Sequence, residues 1–299
     1  MSHEQITAGC PASYLLNGFE LMTVYQYNGT KKKTFKVAAL QMVSGTDVDT
    51  NLRQADELMA RAAGQGAELV CLPEMFCFLG QDDDAKVQIA EPFGKGRVQD
   101  YLQQAAQKYH MYVVGGSIPL VSPEQERVFN TSLVYSPEGE CIARYDKIHL
   151  FSIDQGRVQF DEAQTVYPGN AKPVVFDSPF GPIGLSICYD LRFPELYRQM
   201  GAVNLLLAPS AFTFKTGQAH WELLLKARAV ENQTYVLGPA QGGLHQNGRR
   251  TWGHSMCVDA WGQVMDVLPN EAGLVCCELS MDHLSRVRER LPALSHRVL

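Results

Sequence analysis

The stretch IGLSICYDLRFPEL, residues 183–196, contains the clearest transition from strand to helix in the chain. Its apolar residues 183–187 predict a buried strand, and Cys188 directly follows that strand. Pro194 then opens a predicted short helix, in the position where proline is favoured. The next predicted elements are a strand at 203–207, a helix at about 218–232 and a strand at 235–239. This alternation predicts an α/β fold.

The same alternation continues on both sides of this stretch. Apolar patterns upstream predict strands at 37–42, 68–72 and 111–115, a helix that begins after Asp47 or Asp49, and a helix at 97–109. Turn residues between apolar runs predict two hairpins, 132–135 with 140–145 and 174–176 with 183–187. Strands at 255–259, 263–268 and 273–279 and a C-terminal helix complete the pattern. Helices interspersed with hairpins predict a mixed sheet, or two sheets, covered by helices.

The chain is predicted to contain one domain preceded by an extension. Residues 1–34 show no clear hydrophobic period and end in the basic run Lys31, Lys32 and Lys33, so they are interpreted as an N-terminal extension. Residues 35–299 show no change of composition that would mark a linker between two domains. We therefore expect a single domain over residues 35–299.

Composition and charge narrow the classes of partner. The 299 residues include 45% hydrophobic and 19% charged residues and carry a net charge of -6, values that are typical of an ordered globular protein. A nucleic-acid partner is not expected, because binding phosphates requires clustered Lys and Arg. No stretch is apolar enough to suggest a membrane span and no signal peptide is visible, so a cytoplasmic location is predicted. The eight cysteines are expected to be free thiols in that compartment.

Three polar residues of different chemistry each stand where an apolar strand stops. Glu74 follows residues 69–73, Lys147 follows residues 142–146, and Cys188 follows residues 183–187. In open α/β sheets, ligands bind beyond the carboxyl ends of strands, so such residues are placed to converge. Glu74 alone could be a helix cap or a surface carboxylate, and Cys188 alone could be a buried inert thiol. Together they predict a catalytic site.

These residue types supply what acyl transfer from an amide requires. Cys188 is the candidate nucleophile, and Glu74 can take its proton and later return it to the leaving amine. The positive charge of Lys147 and the backbone N–H of Tyr189 can stabilise the oxyanion. Glu162 can hold the ammonium of Lys147 in place, although an ordinary surface carboxylate is an equally good interpretation of this residue.

Three segments resemble the signature segments of the nitrilase (carbon-nitrogen hydrolase) superfamily. They are LPEM at 72–75, YDKIHLF at 145–151 and SICYDLRFPEL at 186–196, and they occur in the family's order and spacing. The resemblance extends from about residue 36 to about residue 283. It implies an α-β-β-α sandwich, a catalytic site of Glu74, Lys147 and Cys188, and no metal or organic cofactor. It also implies a homodimer or a larger homo-oligomer.

The resemblance also extends to a branch of the superfamily. YDLRFPE after Cys188 resembles the amidases, whereas true nitrilases have a Trp-Glu pair there. Segments 210–213, 216–221 and 240–245 are similar to the deaminated-glutathione amidases, whose substrate is a small amide of an α-ketoglutaryl group with cysteinylglycine. An omega-amidase that acts on α-ketoglutaramate is the alternative. Residues 152–164 depart from the pattern, and this loop is expected to border the pocket.

Two further residues are candidates for binding the substrate. Arg192, four residues after Cys188, can hold a substrate carboxylate in a bidentate manner, and Thr213 can add a hydroxyl contact. A structural ion pair between Arg192 and Glu195 or another neighbour is the alternative interpretation.

Other site types fit the sequence less well. A cysteine–histidine site would need His149, His220 or His254, but none has a peptidase sequence context. Zinc is not expected, because Cys-x-x-Cys pairs are absent and the histidines lack metal-ligand spacing. A relative without catalytic activity that serves as a binding module remains the alternative from a different functional class.

Overall fold

The computed structural model describes residues 14–16, 19–23, 25–154 and 159–298. Their strands are β1 (Tyr14–Leu16), β2 (Phe19–Thr23), β3 (Thr34–Gln41), β4 (Leu69–Cys71), β5 (Tyr112–Val114), β6 (Ile118–Val121), β7 (Val128–Tyr135), β8 (Cys141–Asp146), β9 (Ser152–Asp154), β10 (Gln159–Asp161), β11 (Val174–Ser178), β12 (Gly181–Leu185), β13 (Leu205–Leu207), β14 (Tyr235–Gly238), β15 (Gly242–Leu244), β16 (Arg250–Trp252), β17 (Met256–Val258), β18 (Val264–Val267) and β19 (Gly273–Ser280). The α-helices are α1 (Val48–Gly64), α2 (Ala85–Gln88), α3 (Arg97–Tyr109), α4 (Pro194–Gln199), α5 (Phe214–Asn232) and α6 (Met281–Arg290).

Two mixed sheets form the centre of the fold. The eight-stranded sheet has the order β1-β2-β11-β12-β13-β14-β17-β18, and the seven-stranded sheet has the order β19-β3-β4-β5-β7-β6, with β8 paired to β7. Strands β12, β13 and β14 run parallel to one another, as do β3, β4 and β5. The carboxyl ends of parallel strands therefore meet at one edge of each sheet.

Alternation along β3 shows how the layers are arranged. Phe35, Val37 and Ala39 belong to the core that includes the apolar residues of the eight-stranded sheet, and the ring of Phe35 stacks on Phe180 in the β11–β12 turn, with 5.8 Å between centroids. Ala38 and Leu40 belong instead to the core shared with α1 and α3. Because successive side chains of a strand point to opposite faces, one sheet packs on its partner sheet and on helices at once.

Helix α5 covers the eight-stranded sheet from the other side. Its buried residues Trp221, Leu225 and Ala229 join the core of that sheet. The order of layers is therefore helix, sheet, sheet, helix, which confirms the predicted α-β-β-α sandwich.

The predicted elements differ from the structure at several positions. Helix α5 begins at Phe214 rather than near residue 218, because the side chain of Thr213 accepts a hydrogen bond from the backbone N–H of Thr216 and caps the helix. The hairpin of β15 and β16 was not predicted, since its short strands lack alternating apolar residues. Strand β2 lies within the predicted extension and pairs in parallel with β11. The division into an extension and a domain at residue 35 stays a prediction.

Candidate active site

Glu74, Lys147 and Cys188 meet where the two sheets face each other. Glu74 follows β4 and Lys147 follows β8 in the seven-stranded sheet, whereas Cys188 follows β12 in the eight-stranded sheet. The ammonium Nζ of Lys147 lies 2.9 Å from Oε1 of Glu74, and the charges of both residues act on the thiol of Cys188. All three side chains are buried. The predicted convergence of these residues is therefore present in the structure.

Glu162 and Asn130 complete the hydrogen bonding around Lys147. Nζ of Lys147 donates to Oε2 and Oε1 of Glu162 at 2.8 and 3.0 Å. Glu162 also accepts from the backbone N–H of Phe151 at 2.8 Å. The side-chain amide of Asn130 donates to Glu74 at 3.0 Å and to Glu162 at 3.3 Å. Glu162 is therefore a buried partner of Lys147 and not a surface carboxylate.

The backbone is strained at the points where Glu74 and Cys188 are held. Cys188 has φ +50° and Met75, next to Glu74, has φ +52°, a region that costs free energy for residues other than glycine. The N–H of Cys188 is fixed by a bond to Pro209 O at 2.9 Å. Gly116 also has positive φ, and a Cβ there would lie 2.0 Å from the carbonyl oxygen of Pro73, so only glycine fits beside this loop.

Mutual electrostatics determine the charge states in this cluster. Burial raises the pKa of the Cys188 thiol well above its usual value, the Glu74 carboxylate adds to that increase, and Lys147 opposes it. Burial alone would lower the pKa of Lys147, but the carboxylates of Glu162 and Glu74 raise it well above its usual value. Burial alone would raise the pKa of the Glu162 carboxyl, but the charge and hydrogen bonds of Lys147 hold that pKa below its usual value. At neutral pH, Cys188 is therefore a thiol beside an ammonium, and its proton must be removed when it attacks.

Asp190 holds together the segments that carry Lys147 and Cys188. Its fully buried carboxylate accepts from the hydroxyl of Tyr145 at 2.7 Å and from the backbone N–H of Ile187 at 2.8 Å. It also accepts from the backbone N–H of His149 at 3.1 Å and contacts the ring Nδ1 at 2.7 Å. Because these partners flank Lys147 and precede Cys188, one side chain connects both strand ends.

Two adjoining cavities meet at Cys188. The first, here called the arginine lobe, has a volume of about 290 Å³, and its lining includes Arg192, Arg249 and Arg250. The second, here called the glutamate lobe, has a volume of about 110 Å³, and its lining includes Glu74 and Glu162. The lobes share the lining residues Leu79, Phe151, Phe160, Cys188, Ala211 and Arg249. The thiol therefore faces space on two sides, enough for the two halves of an amide.

The predicted substrate-binding residues all line the arginine lobe. Arg192 packs over the rings of Tyr189 and Phe212. Its guanidinium nitrogen Nη1 lies 3.3 Å from Nδ1 of His220, and this ring nitrogen must accept the hydrogen bond because a guanidinium only donates. Among the described residues, Arg192 forms no ion pair with a carboxylate, so the proposed pair with Glu195 is not present. The hydroxyl of Thr213 is used in the helix cap. The contacts of these residues with a substrate stay predictions.

The loop at residues 152–164 borders the cavities, as expected, through Ile153 and Phe160. No histidine lines either lobe in the described part of the chain, which leaves the cysteine–histidine alternative without a partner at Cys188. Groups of three metal-binding side chains are absent from the same residues. None of the described helices combines the length and apolar character needed to cross a bilayer.

Sequence reasoning missed three polar residues of this region. Asn130 is a buried amide within β7. Asp190 belongs to the motif after Cys188, but the motif does not indicate which strand ends its carboxylate connects. Lys86 lies on the four-residue helix α2 and lines the glutamate lobe. A polar side chain within an apolar strand was the available signal for Asn130, whereas nothing in the sequence pointed to Lys86.

Comparisons with known proteins identify the family of this chain. The carbon-nitrogen hydrolase family model matches residues 36–289. The chain is 42% identical over 272 residues to a deaminated glutathione amidase from Synechocystis sp. (strain PCC 6803 / GT-S), covering 89% of this chain and 99% of that protein. It is 36% identical over 279 residues to the omega-amidase NIT2 of Mus musculus, covering 88% and 95%. The crystal structure of Saccharomyces cerevisiae Nit3, a nitrilase superfamily member, matches with a TM-score of 0.80 and 30% identity, covering 91% and 100%. The chain therefore belongs to the carbon-nitrogen hydrolase family.

Proposed function

We propose that this protein is an amidase that hydrolyses deaminated glutathione, releasing cysteinylglycine from its α-ketoglutaryl group. The observation that carries the proposal is the arginine lobe beside Cys188. Arg192 lines it and has no carboxylate partner among the described residues, while the aromatic rings of Tyr189 and Phe212 hold its guanidinium. A guanidinium held in this way suits the carboxylate at the end of the α-ketoglutaryl group.

In the acylation step, Sγ of Cys188 attacks the amide carbon while Glu74 takes the thiol proton. The carbonyl oxygen becomes an oxyanion that the ammonium of Lys147 and the N–H of Tyr189 stabilise. The C–N bond then breaks, Glu74 returns its proton to the amine nitrogen, and the acyl group stays on Cys188 as a thioester. Glu162 acts here as a positioning residue, because its two oxygens hold Nζ of Lys147.

In the deacylation step, a water molecule occupies the place of the departed amine. Glu74 takes one proton from that water as its oxygen attacks the thioester carbon. The C–S bond breaks, the carboxylic acid leaves, and the proton on Glu74 restores the thiol of Cys188. No metal or organic cofactor takes part in either step.

The Synechocystis relative is named a deaminated glutathione amidase, which supports the proposed substrate. The second candidate is an omega-amidase that acts on α-ketoglutaramate, and the mouse relative of that name favours it. Both substrates share the acyl group that Arg192 would bind. They differ in the leaving group, which is a dipeptide in one case and ammonia in the other.

The test compares both amides with the purified protein and with Cys188→Ala. We expect cysteinylglycine release from deaminated glutathione with a kcat/KM well above that for ammonia release from α-ketoglutaramate, and no turnover by Cys188→Ala. A higher kcat/KM for α-ketoglutaramate would favour the omega-amidase. Equal product release by wild type and Cys188→Ala would indicate a binding module without catalytic activity.

We also propose a cytoplasmic homodimer. The seven cysteines in the described part of the chain, which does not include Cys10, are free thiols. Free thiols suit a reducing compartment. Leu223 and Val230 on α5 and Trp261 in the β17–β18 turn are exposed at 66%, 49% and 62%. Val230 lies beside Gly262 in that turn, and an apolar surface of this kind suits a second copy of the chain.

A further inference from the structure

Lys86 is a charged side chain of the glutamate lobe that the proposed chemistry does not use. It lies on α2 and lines the lobe together with Glu74, Lys147 and Cys188. Its Nζ donates to the hydroxyl of Thr165 at 3.0 Å. In the part of the chain that the structure describes, no carboxylate forms an ion pair with it.

The nearby carboxylates are already bound to other cations. Glu162 is bonded to Lys147 through both oxygens, and Asp83 forms an ion pair with Arg249. Of the three cations that line the lobe, Lys86, Lys147 and Arg249, only Lys86 therefore has no carboxylate partner among the described residues. A partly buried ammonium without a counter-ion is unfavourable. The lobe is therefore suited to receive one more anion.

The position of Glu74 identifies which half of the substrate enters this lobe. Glu74 donates the proton to the leaving amine, and it lines the glutamate lobe but not the arginine lobe. The amine half must therefore lie on the glutamate side of Cys188, with the acyl half towards Arg192. The lobe volume of about 110 Å³ is several times the roughly 30 Å³ that a water-sized molecule such as ammonia occupies. A leaving group larger than ammonia fits this space.

We propose that Lys86 binds the carboxylate of the leaving group and thereby selects amides whose amine half is an anionic peptide. This inference rests on the proposed function, because it assigns the amine half of that substrate to the glutamate lobe. Lys86 is a specificity-determining residue in this scheme and takes no part in proton transfer.

The charge state of Lys86 provides an independent readout. Burial lowers the pKa of its ammonium, Glu162 and Asp83 oppose that effect, and Arg249 and Lys147 add to it. Lys86 therefore loses its proton at a lower pH than a solvated lysine. The preference for an anionic leaving group should fall as the pH rises through this pKa. In Lys86→Arg the preference for an anionic leaving group should not fall over this pH range, because a guanidinium stays charged.

The experiment compares two amides of one acyl group in wild type, Lys86→Gln and Lys86→Arg. One amide releases cysteinylglycine and the other releases cysteinylglycinamide, which lacks the carboxylate. In wild type the first should have the higher kcat/KM. In Lys86→Gln, kcat/KM for the amide that releases cysteinylglycine should fall about tenfold to a hundredfold, the size expected for one charge-assisted hydrogen bond. For the amide that releases cysteinylglycinamide, kcat/KM should change little. Lys86→Arg should keep most of the preference. Lys95→Gln, a change at an exposed lysine outside both lobes, is the control.

The outcomes separate the two proposals. If Lys86→Gln lowers kcat/KM for both amides by the same factor, or if the wild type has equal kcat/KM for them, Lys86 does not bind the carboxylate. The inference then fails while the amidase proposal stands. If wild type releases ammonia from α-ketoglutaramate but neither dipeptide, the proposed function itself fails. Because the readout is a ratio between two substrates in one protein sample, partial unfolding of a variant cancels from it.

Discussion

Glu74 and Glu162 are both bonded to Lys147, but their surroundings suit them to different tasks. Both carboxylate oxygens of Glu162 accept a hydrogen bond from Lys147. Glu162 also accepts one from the backbone N–H of Phe151. Glu74 binds Lys147 through one oxygen, and its carboxylate is close enough to Cys188 to raise the pKa of that thiol. Since a proton acceptor must lie near the nucleophile, we propose that Glu74 is the base and that Glu162 positions the lysine.

Replacing Glu74 by Gln should stop acylation without unfolding the protein, because glutamine keeps the shape but cannot take a proton. We expect kcat/KM to fall at least about a hundredfold, the lower range for loss of a general base. Rapid-quench measurement of amine release and mass spectrometry of the acyl-enzyme check this. Glu278→Gln, at an exposed glutamate of β19, is the matched control. Near-normal turnover by Glu74→Gln would contradict the role of Glu74.

The depressed pKa of Glu162 makes its contribution to stability dependent on pH. The unfolded carboxyl has its ordinary pKa of 4.5 and the folded one lies lower because of Lys147, so the contribution is complete above 4.5 and is lost as the pH falls through the folded value. Glu162→Gln should lower the free energy of unfolding at pH 7 by about 3 kcal/mol, as for a broken buried ion pair. That difference should shrink in acid, as followed by urea unfolding between pH 7 and 3. A difference that stays constant would exclude this linkage.

At the scale of elements, α5 joins the substrate pocket to the outer layer of the sandwich. Thr213 caps this helix and also lines the arginine lobe. An antiparallel bridge joins Thr213 to Thr251 of β16, so the start of the helix is held against the hairpin that carries Arg250. The position of the helix start therefore determines the shape of the lobe.

Thr213→Ala should lower the free energy of unfolding by about 1 kcal/mol, the usual effect of losing an N-cap hydroxyl. Thr213→Ser should restore most of it, because serine is an equally good N-cap. Urea denaturation of the three proteins measures these differences. If Thr213→Ala is as stable as wild type, the hydroxyl does not cap α5, and its part in binding substrate would need to be tested separately.

At the scale of the molecule, the exposed apolar side chains of α5 point to assembly. We expect sedimentation equilibrium to give twice the chain mass of 33.2 kDa. Leu223→Asp should shift the protein towards monomer, because it places a charge on the surface of Leu223, Val230 and Trp261. Leu244→Asp is a matched control, since Leu244 is similarly exposed, at 69%, but lies on β15. A monomeric wild type, or equal effects of both changes, would contradict assembly through α5.

The amino-acid sequence by itself determined the alternation of strands and helices and the identity of Glu74, Lys147 and Cys188. The alternation and the three residues follow from local sequence patterns, because apolar runs define the strands and each of the three residues stands at the end of such a strand. The predicted strands therefore agree closely with β3, β4, β12 and β14, whose burial comes from their own composition.

Only the tertiary structure decided which other side chains join the site. Glu162 reaches Lys147 from a separate segment of the chain, and Asn130 of β7 bonds to both carboxylates. Asp190 connects two strand ends, and Lys86 enters from a short helix. Contacts between residues distant in sequence leave no periodic pattern, because they depend on how the two sheets pack and not on local backbone preference. For the same reason, the two-lobed cavity and the assignment of each half of the substrate came from the packed structure alone.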